Sequence, residues 1–187
     1  LDFNPHGSSK VNLNFPNLNL DTNISSFLRF NIENYISAIA LIADHISADD
    51  IDSIDKTSIS LPRGHGELLR LNQSNILIDF AHDHQSMQNV LSGVASSYDE
   101  IILVFGCGGD RDKSKRSKMM KVAQDFASKV FFTSDNNRYE SFSSIVSDAL
   151  DGKDIADAEI IDDREEAICL ALKCLNKENI LVILGKG

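Results

Sequence analysis

The stretch VFGCGGDRDKSKRSKMM, residues 104–120, joins an apolar strand to a helical pattern through a turn that contains three glycines. A buried strand that enters a helix in this way is the repeating unit of an α/β sheet. Gly106, Gly108 and Gly109 permit positive φ angles and a close approach of the backbone to a ligand. Acidic and basic side chains follow at the start of the helix, where an oxyanion such as phosphate or carboxylate would fit.

The spacing of these glycines fits neither of two common nucleotide motifs. The phosphate loop requires GxxxxGK[ST] and the dinucleotide fingerprint requires GxGxxG, and the turn has neither pattern. Two interpretations of the residues themselves stay open: an anion-binding turn, or a tight turn followed by a solvated helix start.

Short apolar runs alternate with helical patterns from residue 75 to the end of the chain. The predicted strands are NILIDFA, EIILVFG, KVFFTSD, AEIID and NILVILG, and the predicted helices cover 84–97, 114–127, 140–150 and 164–175. Continuous apolar strands separated by helices indicate a parallel sheet covered on both faces. The sequence therefore predicts a doubly wound, Rossmann-like α/β domain that binds its ligands beyond the carboxyl ends of the strands.

The first sixty residues follow a different pattern. Alternations such as VNLNF and LNL predict strands of an edge or hairpin, and residues 30–46 carry apolar side chains at helical spacing, which predicts an amphipathic helix that begins near Asn31. Acids, one proline and two glycines then interrupt the pattern. We place a domain boundary there, with one domain over 1–60 and another over 61–187.

Composition and charge limit the function classes. A formal net charge of −10 and a pI of about 4.8 argue against a general binder of nucleic acid or anionic membranes, so a bound anion must meet a local basic site. The three cysteines show no CxxC spacing, which argues against a disulfide framework or a zinc site and favours a reducing cytoplasm. Cys169 and Cys174 are predicted to lie on a buried helix face. No apolar run approaches the roughly 20 residues that span a bilayer, so no membrane insertion is expected.

Six segments carry, in order, a resemblance to one enzyme family. GCGGDRDKSKR, residues 106–116, is very similar to a G-C-G-G-D-R-D-x-x-K-R stretch. The other segments are FNIENYISAIA (30–40), IDFAH (78–82), TSDNNR (133–138), DDREEAI (162–168) and LGKG (184–187). The chain thereby resembles, over roughly residues 28–187, the Mur ligases that add the third amino acid to the peptidoglycan precursor, the UDP-N-acetylmuramoyl-dipeptide:diamino-acid ligases of the MurE type.

The resemblance implies a fold and a reaction. Residues 1–60 would be the tail of the family's central ATP-binding domain, and residues 61–187 its carboxyl-terminal domain. The implied enzyme is a cytoplasmic, monomeric amide ligase that phosphorylates the terminal D-Glu carboxylate of the UDP-muramoyl dipeptide and lets the amine of a diamino acid attack it. ATP and Mg²⁺ are the implied cofactors. The family's phosphate loop, magnesium ligands and modified lysine precede the matching segment, so we expect no metal ligand and no catalytic side chain here, and a fragment inactive alone.

By resemblance, five residues bind the incoming diamino acid. Arg111 would grip one of its carboxylates, a task that suits the permanently charged, two-point guanidinium fork. Asp135, Asn136 and Arg138 match the D-N-x-R element that reads the far end of the amino acid, where an arginine favours meso-diaminopimelate. Gly185 matches the segment that binds the amino group.

Ordinary structural roles stay open for the same residues. Arg111 could pair with Asp110 or Asp112 on the surface. Residues 135–136 could form an Asx turn at a strand end. Asn137 stands where the family has proline, so the loop lacks that rigid residue.

By resemblance, three residues contact the nucleotide. Asp79 matches the aspartate that holds the ribose hydroxyls, and Asn34 matches an asparagine near the adenine. Alignment of Glu67 with the family's G-R-x-E linker puts His65 in the place of an arginine that touches the ribose, and a protonated His65 or Arg63 would substitute for it. A strand-end aspartate such as Asp79 is also a common helix cap.

Other function classes stay open. A different Mur-like amide ligase, of the lysine-adding, pseudomurein, folylpolyglutamate or cyanophycin type, would share the fold, although the GCGGDRD motif and Arg138 speak against most of these. A non-catalytic Mur-like subunit that binds a partner enzyme is favoured by departures from the family pattern at His65, Asp83 and His84. Five of the six matching segments follow or end a predicted strand: 78–82, 106–116, 133–138, 162–168 and 184–187. An isolated nucleotide-binding protein of flavodoxin type would leave these matches unexplained.

Overall fold

The computed structural model divides the chain into two compact units, Leu1–Pro62 and Arg63–Gly187. It describes residues 2–4, 8–16, 18–24, 28–53, 62–151 and 158–186.

The first unit is a three-stranded antiparallel sheet with two helices. Its elements are β1 (Asp2–Asn4), β2 (Ser8–Phe15), β3 (Leu18–Ile24), α1 (Arg29–Ile42) and α2 (Ala48–Ser53), with the strands in the order β1-β2-β3. Val11 and Leu13 of β2 are buried between exposed asparagines, and they pack in one cluster with Ile32 and Ile39 of α1. Strand β2 thus buries one face against α1 and exposes the other, as its alternation of apolar and polar residues predicts.

The predicted hairpin and first helix are confirmed, with small differences. The helix begins at Arg29 rather than near Asn31 and ends at Ile42. The short helix α2 was not predicted, because its sequence ADDIDS reads as an acidic break. Its buried Ile51 joins the cluster under the sheet, so tertiary packing supports a segment of weak helical pattern.

The second unit is a six-stranded sheet with helices on both faces. Its elements are β4 (His65–Leu71), β5 (Ser74–Asp79), α3 (His84–Ala95), β6 (Glu100–Cys107), α4 (Ser114–Phe126), β7 (Lys129–Ser134), α5 (Phe142–Leu150), β8 (Ala158–Ile161), α6 (Arg164–Lys173) and β9 (Asn179–Leu184). The strand order is β4-β5-β9-β6-β7-β8, and all pairs are parallel except β4 with β5. The predicted doubly wound α/β domain is confirmed.

Strand β4 was not predicted. Its sequence lies where Pro62, Gly64 and Gly66 indicate a boundary, and the register shifts between His65 and Glu67 at an irregular step in the strand. Among the described strands it pairs with β5 alone, through a tight turn in which Asn72 has a φ of 56°. An edge strand of this kind is half exposed and carries little of the apolar signal of the central strands.

Two neighbouring phenylalanines show how the sheet is covered. Phe131 packs in a cluster with Ala167 and Ala171 of α6, whereas Phe132 stacks on Phe142 of α5 with ring centroids 6.1 Å apart. Successive side chains of a strand point to opposite faces, so α5 and α6 cover opposite faces of the sheet. Helix α4 contacts both α3 and α5, which completes one layer. The central strands are therefore apolar on both sides.

The inner stripe of α6 is narrow and made of small residues. Ala167 and Ala171 are fully buried against the sheet, and Cys174 is partly buried at the end of the same stripe. Cys169 is exposed, so the prediction that both cysteines lie on a buried face is wrong for this residue. Two residues advance a helix by roughly 200°, which carries Cys169 from the line of Ala167 to the outer side.

We expect that Ala171→Leu destabilises the chain by about 1–3 kcal/mol, because the larger side chain does not fit between α6 and the sheet. Cys169→Leu on the outer side of the same helix is the matched control and should change little. Urea denaturation measures both. Equal effects of the two substitutions would contradict the packing of α6.

Candidate functional site

The carboxyl ends of four strands surround one cavity of about 460 Å³ in the second unit. All five residues predicted to bind an amino acid line it: Arg111, Asp135, Asn136, Arg138 and Gly185. The remaining lining residues are His82, Gly106, Cys107, Gly108, Asp112, Lys115, Arg116, Met119 and Lys186. The lining contains five Lys or Arg residues and two Asp residues, although the protein as a whole carries a net charge of −10. The cavity is thus a local basic site of the kind that a bound anion requires.

The glycine turn lies directly against the loop that follows β7. A Cβ atom on Gly106 would stand 2.3 Å from the carbonyl oxygen of Thr133, and one on Gly109 would stand 1.9 Å from that of Asn137. The Gly109 amide donates a hydrogen bond to the carbonyl oxygen of Asn136 at 2.8 Å. These positions need glycine because two backbone segments meet there, which shapes one wall of the cavity.

A buried ion pair ties the glycine turn to the same loop. Arg116 is 1% exposed, and its two terminal nitrogens donate to both carboxylate oxygens of Glu140, at 2.8 and 2.6 Å. Its Nη2 also donates to the carbonyl oxygen of Gly108 at 3.1 Å, and its Nη1 donates to Asp148 at 2.6 Å. One guanidinium therefore connects α4, the turn after β6, the loop after β7 and helix α5.

Two further groups complete the cluster around Glu140. The Lys113 ammonium lies 2.9 Å from one carboxylate oxygen of Glu140, and the Ser144 hydroxyl donates to the same oxygen at 3.1 Å. Hydrogen bonds from Arg116 and then Lys113 hold the pKa of Glu140 far below its usual range. The backbone amide of Asp110 donates to the second oxygen at 3.1 Å. The carboxylate is thus fixed in its charged form.

Arg111 has no ion pair or hydrogen bond to any residue that the structure describes. The acids that could have held it are engaged elsewhere. Asp110 accepts a hydrogen bond from the amide of Tyr139 at 3.0 Å, and Asp112 accepts from the amide and hydroxyl of Ser114. The surface pair that the sequence left open for Arg111 is not formed, so its exposed guanidinium faces the cavity without a protein partner.

Arg138 belongs to a hydrogen-bonded turn at the cavity edge. It has a φ of 51°, and its Nη1 donates to the carbonyl oxygens of Gly109 at 2.8 Å and Asn136 at 3.3 Å. The carbonyl oxygen of Asn137 accepts from the amide of Glu140 at 3.0 Å. Hydrogen bonds therefore shape the segment in which Asn137 replaces proline. The other guanidinium N–H groups of Arg138 have no partner in the described part of the chain.

Asp135 and the end of β9 form another part of the cavity wall. Gly185 has a φ of 97°, which a side chain rarely allows, and its amide donates to the carbonyl oxygen of Asp79 at 3.1 Å. A Cβ atom on Gly185 would lie 3.6 Å from Oδ2 of Asp135. The Lys186 ammonium lies 3.8 Å from Oδ1 of Asp135 and donates to its carbonyl oxygen at 3.1 Å. A carboxylate and backbone groups thus meet here, which suits an ammonium ligand.

Asp79 lies at the end of β5, in register with His65 of β4. It is 7% exposed, and burial raises the pKa of its carboxyl group, while the amides of Ala81 and Gly66 and the nearby His65 act in the opposite direction. The His65 ring lies 4.9 Å from the exposed ring of Phe80. A carboxylate next to an accessible aromatic pair is an arrangement that can meet the hydroxyls and the base of a nucleoside.

The helix-cap alternative for Asp79 is wrong, because Asp83 caps α3. Asp83 accepts from the amide of Ser86 at 2.9 Å, and the Ser86 hydroxyl completes a capping box. His82 lies at the cavity, with Nδ1 3.0 Å from the carbonyl oxygen of Phe80. The departure from the family pattern at Asp83 is therefore a structural cap, while His84 has a buried Nδ1 atom without a partner in the described part of the chain.

Three other residues were considered for nucleotide binding. Asn34 is exposed on α1 in the first unit. Glu67 accepts from the amide of Gly64 at 2.9 Å, so it shapes the backbone before β4. Arg63 is almost fully exposed, with Nε 3.8 Å from Glu67, and remains free to reach a ligand.

Arg116 and Glu140 were not singled out from the sequence. Arg116 stands in the basic run KSKR, which reads as a solvated helix start, and Glu140 lies 24 residues away. One signal could have found the arginine: Arg116, Met119, Met120 and Ala123 follow the helical spacing of the buried stripe of α4. A charged residue inside an apolar stripe indicates a buried partner.

Cys107 is a buried residue of the cavity wall. Burial raises the pKa of its thiol to about 12, and its Sγ lies 3.8 Å from the sulfur of Met119. A thiol of this kind is neutral and unreactive. In the described part of the chain, no cluster of three His, Cys, Asp or Glu residues could hold a metal ion. None of the described helices is long and apolar enough to cross a membrane.

The cavity lies within a region that matches a known family. The family described as "Mur ligase, glutamate ligase domain" matches residues 67–187. A Listeria monocytogenes protein named UDP-N-acetylmuramoyl-L-alanyl-D-glutamate--2,6-diaminopimelate ligase is 35% identical over 188 residues, which cover 97% of this chain and 38% of that protein. A Helicobacter hepaticus protein of the same name is 44% identical over 117 residues, which cover 62% and 25%. The chain thus spans about a quarter to two-fifths of these relatives.

Solved structures agree with the fold. The structure of a UDP-N-acetylmuramoyl-L-alanyl-D-glutamate--2,6-diaminopimelate ligase has a TM-score of 0.66 and 32% identity, over 89% of this chain and 35% of that one. A Mycobacterium tuberculosis folylpolyglutamate synthase complexed with ADP and AMPPCP also has a TM-score of 0.66, over 96% and 45% of the two chains. Its 14% identity indicates a common fold alone.

We expect that Arg116→Met lowers the urea midpoint of unfolding well below that of the unaltered chain. The substitution removes the two-point contact of Glu140, leaves the exposed Lys113 as its charged partner among the described residues, and removes the donor to Gly108. Arg111→Met removes the same charge from a side chain without a protein partner and is the control, which should change the midpoint little. Equal midpoints for the two variants would contradict the anchoring role of Arg116.

The stabilising effect of Glu140 should depend on pH. Its pKa is lower in the folded state than its usual value of 4.5, so its contribution is fully present above about pH 4.5 and is lost as the pH falls further. Glu140→Gln removes the charge. The difference in unfolding free energy between the unaltered chain and this variant should therefore shrink as the pH falls below about 4.5, as measured by urea denaturation across pH. A difference that stays constant down to about pH 3 would contradict this role.

Proposed function

The chain belongs to the Mur ligase family, and we propose that it forms the amino-acid-binding part of an ATP-dependent ligase that joins meso-diaminopimelate to UDP-N-acetylmuramoyl-L-alanyl-D-glutamate. One observation carries the proposal: the residues expected to read the amino acid line a single basic cavity at the carboxyl ends of four strands. The curated relatives that are named for this reaction support it.

The cavity can hold a diamino acid at both ends. Arg111 offers an unpaired guanidinium to one carboxylate, with the two-point geometry that this group favours. Arg138 and Asn136 lie on the loop after β7. A second carboxylate would accept there from the guanidinium N–H groups of Arg138 that make no hydrogen bond within the described part of the chain. Asp135 and the backbone at Gly185 would receive an ammonium group. Lysine lacks the second carboxylate and would leave Arg138 without its charge partner.

The residues at the end of β5 fit a nucleotide. Asp79 would accept from the ribose hydroxyls, His65 and Phe80 offer aromatic faces beside it, and we assign Asn34 to the adenine. ATP would supply the phosphoryl group that activates the D-Glu carboxylate, together with Mg²⁺. The 187 residues contain no GxxxxGK[ST] pattern, so we expect the phosphate-binding loop and the magnesium ligands outside them and no turnover by this chain alone.

The part that this chain plays in the reaction is positioning. The amine of the bound amino acid must stand within reach of the activated carboxylate, and holding two reactants in a fixed geometry supplies a large part of the rate. Arg111, on the turn after β6, and Asp135 and Arg138, on the loop after β7, would set that geometry. The Arg116–Glu140 pair ties these two segments together. The amine then forms the amide bond as phosphate leaves.

The domain assignment follows the same proposal. We assign residues 1–60 to the tail of the central ATP-binding domain and residues 61–187 to the carboxyl-terminal domain. A cytoplasmic, monomeric enzyme suits substrates that are nucleotide-linked and water-soluble. We propose no contact with nucleic acid, in keeping with the net charge of −10.

Isothermal titration calorimetry with the 187-residue chain tests the amino-acid specificity. We expect meso-diaminopimelate to bind about tenfold or more tightly than L-lysine, since lysine leaves the charge-assisted contact to Arg138 unmade. Arg138→Ala should remove most of this difference, and Arg111→Ala should weaken both ligands. Arg70→Ala is the control, because Arg70 pairs with Asn75 at the other end of the sheet.

Three outcomes decide between the candidates. Preference for meso-diaminopimelate that is lost in Arg138→Ala supports the proposal. Equal or better binding of lysine would move the assignment to a lysine-adding ligase. Binding of neither amino acid would favour a non-catalytic subunit.

A chimera of the Listeria monocytogenes relative that carries residues 63–187 adds an activity test, since ATP-dependent phosphate release with meso-diaminopimelate should require Arg111.

A further inference from the structure

Arg164 is a partly buried cation that makes none of the ligand contacts proposed for the cavity. It is the first residue of α6, and its Nη2 donates to the carbonyl oxygen of Leu184 at 3.0 Å. Its Nη1 is buried and has no hydrogen-bond partner among the residues that the structure describes. Burial lowers the pKa of Arg164, and the Asp135 carboxylate acts in the opposite direction. The guanidinium therefore contacts the end of β9, and the negative charge of Asp135 favours its charged form.

The position of Arg164 is unfavourable for stability. A partly desolvated guanidinium loses hydration that one carbonyl oxygen restores only in part. The first turn of a helix is also the positive end of its dipole, which repels a cation. A methionine of similar length would avoid both costs. The benefit of an arginine must therefore come from the groups that it contacts.

Helix α6 holds Arg164 firmly at this place. The carbonyl oxygen of Asp162, at the end of β8, accepts hydrogen bonds from the Thr133 hydroxyl at 3.3 Å and from the hydroxyl and amide of Ser134 at 2.7 and 3.3 Å. Asp163 then caps the helix by accepting from the amide of Glu166 at 2.9 Å. The first turn of α6 is thus fixed to the end of β7, directly before the loop that contains Asp135.

The contacts of Arg164 lie behind the amino-group side of the cavity. Leu184 is fully buried, and its carbonyl group belongs to the peptide bond that leads to Gly185. Gly185 and Asp135 line the cavity, and the ideal Cβ position of Gly185 is 3.6 Å from Oδ2 of Asp135. Arg164 does not line the cavity, so it acts on a ligand only through these two residues.

We propose that Arg164 is a positioning residue that fixes the peptide bond between Leu184 and Gly185 next to Asp135, so that the ammonium group of the incoming amino acid meets a preset binding site. The identity of the ligand rests on the proposed function. The contact of Arg164 with the peptide bond between Leu184 and Gly185 rests on the fold alone. The two parts can be measured separately.

Amide hydrogen exchange and calorimetry on the 187-residue chain test the proposal. Arg164→Met should lower the protection of the Gly185 amide by about tenfold and leave that of Val182, in the middle of β9, unchanged. It should also weaken binding of meso-diaminopimelate by about tenfold, with little change in melting temperature. Arg164→Lys keeps the charge and should restore part of both losses. Arg70→Met removes a charge at the far end of the sheet and should change neither.

Each alternative outcome has a defined meaning. Unchanged protection of Gly185 in Arg164→Met would overturn the proposal. A uniform loss of protection along β9 with a lower melting temperature would also overturn it, since Arg164 would then have a general structural role. If the unaltered chain binds no meso-diaminopimelate but Gly185 alone loses protection in the variant, the proposed function fails and the positioning of the β9 end by Arg164 stands.

Discussion

The contact between the Arg116 guanidinium and the Glu140 carboxylate is the constraint on which the cavity depends. It joins residues that are 24 positions apart and nearly excluded from solvent. A charge buried without its partner is costly, so the helix after β6 and the loop after β7 reach this arrangement together. The same guanidinium holds the carbonyl group of Gly108, which brings the glycine turn against the loop so closely that Gly109 has no room for a side chain.

This anchoring leaves other cations available for a ligand. Glu140 and Asp148 engage Arg116 and Lys113, while Asp110 and Asp112 bind backbone amides. Arg111 consequently has no protein partner in the described part of the chain, even though acids adjoin it in the sequence. An acidic protein thus presents a basic cavity because its nearby carboxylates are already occupied.

Much of the fold was predictable because its signals are local. Continuous apolar strands separated by helical patterns give the parallel order of the second unit, and strand ends such as 106–111 and 135–138 must meet where parallel strands end together. Strand β4 and helix α2 escaped prediction because an edge strand and a six-residue helix depend on their neighbours more than on their own pattern. The outward position of Cys169 required the phase of α6, which its weak stripe of alanines does not specify from sequence.

The candidate site was predictable only in part, for a related reason. Motif similarity nominated Arg111, Asn136 and Arg138, but the residues that hold them in place are contacts between distant segments. Arg116 lies in a basic run that predicts a solvated helix start. Arg164 lies in the matching segment 162–168, but its contact with the carbonyl group of Leu184 is not specified by the sequence. Helix phase and strand register decide which charged side chains are buried, and both are fixed only when the chain has folded.

A crystal structure of the chain with bound meso-diaminopimelate decides whether this cavity is the amino-acid site. We expect one carboxylate of the ligand within hydrogen-bond distance of Arg111, the second at Arg138 and Asn136, and an ammonium group at Asp135. The Arg116–Glu140 pair should be unchanged from the ligand-free chain. A ligand bound elsewhere in the chain, or one that turns a single carboxylate toward Asp135, would contradict the assignment of this cavity.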